Sequence, residues 1–292
     1  MTRVVYVNGR YAPYAGASVH VEDRGFQFAD GVYEVCEVLD GCLVDERRHM
    51  RRLCRSLSEL GMGEPMSLRA LGVILRETVR RNRVKNGMVY LQVTRGVARR
   101  DFAFPSRDVA PTVVCFARSL SRPKGEKKAA SGISVVTVPD IRWKRVDIKT
   151  TGLLAQAMAR QQAKDAGADE AWMVDGEGFV TEGASCNAWI VTDAGILVTR
   201  SAESGILRGI TREVAMEAAR AKGLHFEERP FTVEEAKSAR EAFQTSASGL
   251  VMPVVKIDGH IIASGKPGGV ALELRKTYHS VAEISSPHGL LA

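Results

Sequence analysis

Aromatic side chains make up only 6% of this chain, and its basic pairs do not interleave with them. Arg47-Arg48, Arg51-Arg52 and Arg80-Arg81 sit in helix-like stretches, so the net charge of +7 reads as a solvated basic surface. Without a stacking platform for bases, a nucleic-acid partner is not expected, although the field suits small anionic substrates. The five cysteines are an odd number and form no CxxC pair, which argues against a disulfide framework or a zinc site. They read as reduced, mostly buried small residues. No apolar run approaches the ~20 residues needed to span a bilayer. Met1 to Tyr6 leads straight into a strand-like pattern with no signal-peptide core. The expectation is a cytoplasmic protein with no membrane partner and no metal.

What is present is ordinary globular chemistry, with 45% hydrophobic and 26% charged residues in 292, a length that suits two domains. Asn8-Gly9 and Asp40-Gly41 each separate two strand-like runs and predict two-residue hairpins with positive φ. Met50, Leu53, Leu57 and Leu60 recur at helical spacing after Asp45 and stop at Gly61. Ser67 is placed to cap a second helix with Leu68, Leu71, Ile74, Leu75 and Val79 on one side. Strands are predicted at 88–94 and 112–117. The polar stretch Ser119 to Ser131, with Pro123 and Gly125, reads as a linker. Beyond it, strands near 133–138, 188–191, 196–199, 242–245 and 253–257 alternate with helices near 152–166 and 211–222. Thr232 to Glu235 reads as a capping box. The expected organisation is a small α/β domain at 1–118, a linker at 119–131 and a larger mixed domain at 132–292. The fold class is α+β, or mixed α/β.

Two short runs carry the chemistry. Lys149 lies in Asp147-Ile148-Lys149-Thr150-Thr151-Gly152, and Glu182 lies in Thr181-Glu182-Gly183-Ala184-Ser185-Cys186-Asn187, about one helix and one hairpin later. A lysine and a carboxylate at this interval fit a pyridoxal 5′-phosphate (PLP) enzyme. The amine forms the Schiff base, and the carboxylate keeps the pyridine nitrogen protonated. An isolated Lys/Glu pair would more often be two solvated surface residues.

Four further words stand beside these: Glu22-Asp23-Arg24-Gly25-Phe26 through Tyr33-Glu34-Val35, then Val93-Thr94-Arg95-Gly96, Asp140-Ile141-Arg142-Trp143, and Gly205-Ile206-Leu207-Arg208-Gly209-Ile210-Thr211-Arg212. Together with the lysine and glutamate runs they resemble the D-amino acid branch of the class IV aminotransferases, the fold-type IV PLP enzymes. The resemblance extends from about residue 4 to residue 278. It implies a two-domain enzyme with a barrel-like larger domain. It also implies ping-pong transfer of an amino group from a D-amino acid such as D-alanine to a 2-oxo acid such as 2-oxoglutarate, in a homodimer with shared active sites.

The resemblance assigns Lys149 to the cofactor imine and the substrate proton, and Glu182 to the pyridine nitrogen. It gives the phosphate to Arg52, to the helix start at Ile210 and Thr211, and to the turn at Ser246 and Ala247, where Ala247 replaces the family's usual threonine. Leu207 corresponds to the residue under the cofactor ring, and Tyr33 and Arg100 to the substrate carboxylate site. Phe102 stands where the family places a histidine, and Arg99 offers a second guanidinium. Plainer roles exist for several of these: a solvated helix arginine for Arg52, an N-cap for Thr211, and core packing for Leu207 and Tyr33. His49 reads as a structural hydrogen-bonding group, and Cys186 lacks a basic partner. Within the fold type, branched-chain L-amino acid aminotransferase, aminodeoxychorismate lyase and amine transaminase are the alternatives.

Overall fold

In a computed structural model the chain is described over residues 3–285, and its residues divide into two compact units. The first comprises the described residues up to Arg122, the short run Ile148–Gly152 and residues 283–285. Its strands are β1 (Val4–Val7), β2 (Arg10–Pro13), β3 (Gly31–Leu39), β4 (Cys42–Leu43), β5 (Gly87–Thr94) and β6 (Thr112–Ser119). They form one antiparallel sheet in the order β2-β1-β6-β5-β3-β4. Both expected hairpin turns form: Asn8 and Gly9 have φ of 42° and 88°, and Asp40 and Gly41 have 49° and 83°.

Among the described residues three α-helices belong to this unit, α1 (Arg24–Phe28), α2 (Glu46–Glu59) and α3 (Leu68–Arg81). Burial on α2 falls at Glu46, His49, Met50, Leu53, Ser56 and Leu57, the stripe that a 3.6-residue period presents to a sheet. The Ser67 hydroxyl caps α3 by accepting the Ala70 N–H at 3.3 Å, as its sequence predicts. Leu53, Leu57, Leu71 and Leu75 are at most 1% exposed, and each contributes roughly 1.5–3 kcal/mol by leaving water. The 22–30 region contains α1. The Asp23 carboxylate caps it by accepting the Gly25 N–H at 2.9 Å.

The second unit comprises Pro123–Asp147 and Leu153–Ala282. It contains helices α4 (Arg122–Ser131), α5 (Leu154–Asp165), α6 (Ile210–Ala221), α7 (Val233–Ser238) and α8 (Gly269–Val281). Its strands are β7 (Ile133–Pro139), β8 (Glu170–Val174), β9 (Val180–Gly183), β10 (Asn187–Val191), β11 (Leu197–Thr199), β12 (Phe226–Glu228), β13 (Glu241–Ser246), β14 (Leu250–Ile257) and β15 (His260–Ile261). They make a mixed sheet in the order β12-β11-β10-β13-β14-β7-β8-β9, with β15 on β14. The pairs β11/β12, β14/β7 and β7/β8 are parallel. The Gly183 N–H donates to Cys186 O at 2.7 Å, so the last strand of this path returns towards β10 and the sheet is curled. The α+β class and the barrel-like character of the larger part follow.

The expected boundaries need correction. The segment 119–131 holds the end of β6 and the helix α4, with the division at Arg122/Pro123. Pro123 occupies the first helical turn, where the missing N–H is no loss, and Ala129 is buried. Glu126 pairs with Arg275 of α8 at 2.9 Å, a contact a local reading of Pro and Gly could not include. Residues 148–152 and 283–285 belong with the first unit, although the sequence predicts a continuous domain over 132–292. The helix expected from Gly152 accordingly begins at Leu154. Thr232 caps α7, accepting the Glu235 N–H at 3.1 Å, while the Glu235 carboxylate pairs with Arg229 at 2.6 Å. The expected domain ends at 1–2 and 286–292 lie outside the described residues.

Candidate active site

Strand β3 alternates, so Tyr33 and Glu34 point to opposite faces of the first sheet. The run 148–151 lies along the N-terminal half of β3. Tyr33 N–H donates to Lys149 O at 3.0 Å, Thr151 N–H donates to Gly31 O at 3.0 Å, and Val32 bridges Thr150. Ile148 is buried in the core, which anchors the run and leaves Lys149 half-buried. Its ammonium nitrogen stands 4.2 Å from the centroid of the Tyr33 ring. Tyr33 stacks on Tyr90 at 5.4 Å and Tyr90 on Phe116 at 4.7 Å, a row of rings across β3, β5 and β6 that fixes the Tyr33 plane. Burial, with Tyr33 adjacent, pushes the Tyr90 phenol up, and its O–H donates to Gln92 at 2.8 Å. Tyr33 is thus neither core nor free surface. Among the described residues Lys149 makes no ion pair.

On the other face, Glu34 is 1% exposed and accepts two hydrogen bonds from Arg52, Nε to Oε1 at 2.8 Å and Nη2 to Oε2 at 2.8 Å. His49 Nδ1 lies 2.7 Å from Glu34 Oε2. Burial pushes the Glu34 carboxyl up, but the adjacent guanidinium and the histidine overcome it and hold it at about 2. Arg52 is therefore not the solvated helix arginine its surroundings in sequence allow, since its side chain is only 9% exposed. One turn further along α2, Ser56 Oγ accepts the Lys149 N–H at 3.4 Å, so one helix face holds both the arginine and the lysine run. His49 has the structural role expected for it.

In the second unit Glu182 is 5% exposed and surrounded by donors. Arg142 Nη1 donates to Oε1 in a short contact, Asn187 Nδ2 donates to Oε2 at 2.9 Å, and the Leu207 N–H reaches both oxygens at 3.2 Å. Arg142 also clasps Asp140 through Nε and Nη2, at 2.9 and 2.7 Å. Burial disfavours the Arg142 charge, but the two carboxylates outweigh it and raise its pKa; the Asp140 carboxyl, pushed up by burial, is drawn down by Arg142 and Thr181. A buried carboxylate ion-paired and ringed by donors fits a partner for a protonated ring nitrogen. Leu207 is half-buried while Ile206 is the core residue of the pair, so core packing is the role of its neighbour.

Helix α6 starts at Ile210 with Gly209 as its N-cap, so Thr211 is the second helical residue and the cap reading does not hold. Its first helical amide bond runs from Glu213 N–H to Gly209 O, leaving the amides of Ile210, Thr211 and Arg212 without a helix carbonyl. A Cβ at Gly209 would collide with the Asn187 amide oxygen, and that same side chain donates to Glu182 and to Leu207 O. The glycine therefore lets the helix start close on the glutamate's supporting residue. Ser246 and Ala247 lie at the β13–β14 turn, where Ser246 Oγ accepts the Gly249 N–H at 3.1 Å. Thr245, next to Ser246, pairs in register with Asn187. Three amides without a helix carbonyl at the N-terminus of a twelve-residue helix fit a phosphate. By contrast, a cavity of about 320 Å³ along α6, lined by Glu203, Arg208, Glu217 and Glu228 among others, contains none of the expected residues.

Residues 31–257 match the family model of amino-transferase class IV. The chain is a class IV aminotransferase. The D-alanine aminotransferase of Staphylococcus haemolyticus is 39% identical over 286 residues, 98% of this aminotransferase and 100% of that protein. That of Bacillus licheniformis is 38% identical over 264 residues, 90% and 92% of the two chains. Among solved structures, a T.th. branched-chain amino acid aminotransferase with pyridoxamine 5′-phosphate is similar with a TM-score of 0.87 and 26% identity, covering 96% of this chain and 94% of that one. No helix among the described residues is long and apolar enough to cross a membrane.

Arg99, Arg100 and Phe102 lie on the exposed stretch between β5 and β6. The Arg100 guanidinium stands 4.7 Å from the Phe28 ring centroid, and Phe102 packs on the same ring at 5.7 Å. Sequence reasoning gave no role to Glu34, Asn187, Arg142 or Asp140. All four lie inside the quoted words, and a carboxylate immediately after Tyr33 was the available signal for the first. Cys186 is buried and its thiol is pushed well above the usual range by burial and the nearby Glu170 and Glu182, which removes it as a nucleophile.

Proposed function

We propose that this class IV aminotransferase uses pyridoxal 5′-phosphate to transfer amino groups from D-amino acids, D-alanine among them, to 2-oxo acids such as 2-oxoglutarate. The observation that carries this reading is the half-buried amine of Lys149 over Tyr33, in a chain 39% identical to a D-alanine aminotransferase. When bound, the cofactor supplies an aldehyde that links to amines and a ring that accepts electrons. Lys149 would hold the cofactor through its amine, and that amine would carry a proton to and from the substrate Cα. An amine without a carboxylate partner is suited to that work, because it need not break an ion pair to give up its proton. Glu182, held by Arg142, Asn187 and Leu207, keeps a proton on the pyridine nitrogen.

For the phosphate, the open amides of Ile210 and Thr211, the Thr211 hydroxyl, and the turn of Ser246 and Ala247 supply donors. Arg52 adds a cation oriented by Glu34. Leu207, whose N–H serves Glu182, would offer its side chain to the ring face. Tyr33, Arg100 and Arg99 take the substrate carboxylate, and donor and acceptor share them because the second half-reaction retraces the first. Phe102 adds an apolar wall where the family has a histidine. The active unit is a homodimer in the cytoplasm; Phe26, Phe102 and Phe104 are exposed side chains of the first unit that a second copy would cover.

The branched-chain reading draws support from the solved structures alone. It differs at Tyr33-Glu34-Val35, where those enzymes are expected to carry Phe-Glu-Gly. Measuring amino transfer from D-alanine and from L-leucine to 2-oxoglutarate separates the two. Transfer from D-alanine alone is expected, and transfer from L-leucine alone contradicts the proposal.

A further inference from the structure

Two of the quoted runs, 22–30 and 93–96, have no place in the chemistry above, yet they fold into one buried knot. Asp23 caps α1 and accepts the Thr94 hydroxyl at 3.0 Å. A Cβ at Gly25 would strike the Thr94 side chain, so the helix turn and strand end must meet through a glycine. Arg24 N–H donates to Gly96 O at 2.9 Å, and Arg95 N–H to Asp30 O at 3.0 Å. At the centre, one oxygen of Asp30 accepts from Arg24 Nε and from Arg95 Nε, each at 2.7 Å. Arg24 is 2% exposed and Arg95 9%.

Two buried guanidinium groups on one carboxylate leave donors to be satisfied elsewhere. Arg95 directs Nη2 to Leu60 O at 2.9 Å. Arg24 sends Nη1 to Asp101 O at 2.7 Å and Ala103 O at 3.3 Å, the two carbonyls that bracket Phe102. Its guanidinium also stands 4.7 Å from the Phe28 ring, the ring that Arg100 and Phe102 approach. Residues 95–111 join two strands that are direct antiparallel neighbours, where a tight turn would suffice. So long an excursion is either functional or loose, and here a buried cation holds its tip.

We propose that Arg24, set by Asp30, is a positioning residue that fixes where Arg100 and Phe102 stand, and so tunes recognition of the substrate carboxylate. This rests on the reading in which Arg100 takes that carboxylate. A guanidinium is required because its planar fork serves a carboxylate and two carbonyls at once, which a lysine ammonium on a flexible stem does not.

The test is Arg24→Lys in the holoenzyme, which keeps the charge on Asp30 but loses the fork. Tryptic cleavage after Arg99 and Arg100, followed by mass spectrometry, should quicken about tenfold as the loop loosens. KM for D-alanine and for 2-oxoglutarate should each rise about tenfold, with kcat within about threefold of wild type and the visible cofactor absorbance unchanged. Cleavage and KM both at wild-type values overturn the proposal. Faster cleavage with unchanged KM keeps the anchor but overturns its role in recognition. Should Arg24→Lys fail to fold, Phe28→Leu, at a half-buried site, should shift both readouts in the same direction, and no shift overturns the proposal. If the wild-type enzyme transfers nothing from D-alanine, the substrate reading fails, while the tryptic comparison still decides the anchoring.

Discussion

Lys149 and Glu182 are held in opposite ways. Glu182 is committed: three donors from Arg142, Asn187 and the Leu207 amide hold its carboxylate, and the lack of a side chain at Gly209 leaves room for Asn187 to reach it. Lys149 is held only by its backbone, through Tyr33 and Ser56, while its amine lies over an aromatic ring without an ion pair among the described residues. The difference matches the demands that the proposed roles place on each. A group whose charge must stay fixed gains from preorganised partners, because they need no rearrangement as the reaction proceeds. A group that must exchange bonds and protons would have to break any partner it had. Glu34 shows the committed pattern used for structure, with Arg52 and His49 on one buried carboxylate.

Breaking the uncommitted side should have the largest effect. Lys149→Ala is expected to lower turnover by roughly 10³-fold or more and to abolish the lysine-linked cofactor absorbance, measured by steady-state assay and visible spectrum. Near-normal turnover would remove the lysine from the chemistry. Glu182→Gln keeps the shape but removes the charge; kcat should fall roughly 10²-fold with the cofactor retained, and an unchanged kcat would show that the committed carboxylate does not act in the reaction.

A third prediction concerns stability. Glu34 has a folded-state pKa of about 2 against an ordinary 4.5, so its contribution is full above about pH 4.5 and is lost as pH falls towards 2. The change is worth about 3 kcal/mol in order of magnitude. Glu34→Gln should flatten the stability profile across that window in denaturant titrations; an unflattened profile would mean the pair does not govern acid sensitivity. The smallest effect is expected at the loop. Phe102→His restores a donor near the carboxylate, and kcat/KM for D-alanine should rise about threefold to tenfold. A fall instead would make Phe102 part of a differently built site.

Hairpins and amphipathic helices were legible because turn chemistry and periodicity are local: Asn8-Gly9, Asp40-Gly41 and the α2 and α3 stripes all form as read. Helix α4 was not, because its Pro and Gly look like breakers until Pro123 is seen in the first turn and Glu126 on Arg275. Helix α8 was missed altogether; its start is stabilised by Glu241 of β13, which accepts the Val270 and Ala271 N–H groups at 3.0 Å each, a partner 29 and 30 residues distant in sequence. The same holds at the site. The lysine, the glutamate and the α6 start could be named from their surrounding words. Arg142 and Asn187, which give Glu182 its character, could be recognised only once β7, β9 and β10 are assembled.

The most direct measurement is the visible spectrum of the purified enzyme before and after D-alanine, and separately after L-leucine. A yellow protein that bleaches with D-alanine and not with L-leucine is the predicted result, since it reports the lysine-linked cofactor and the first half of the transfer together. Bleaching with L-leucine alone, or a protein that stays colourless after added pyridoxal phosphate, would contradict the account.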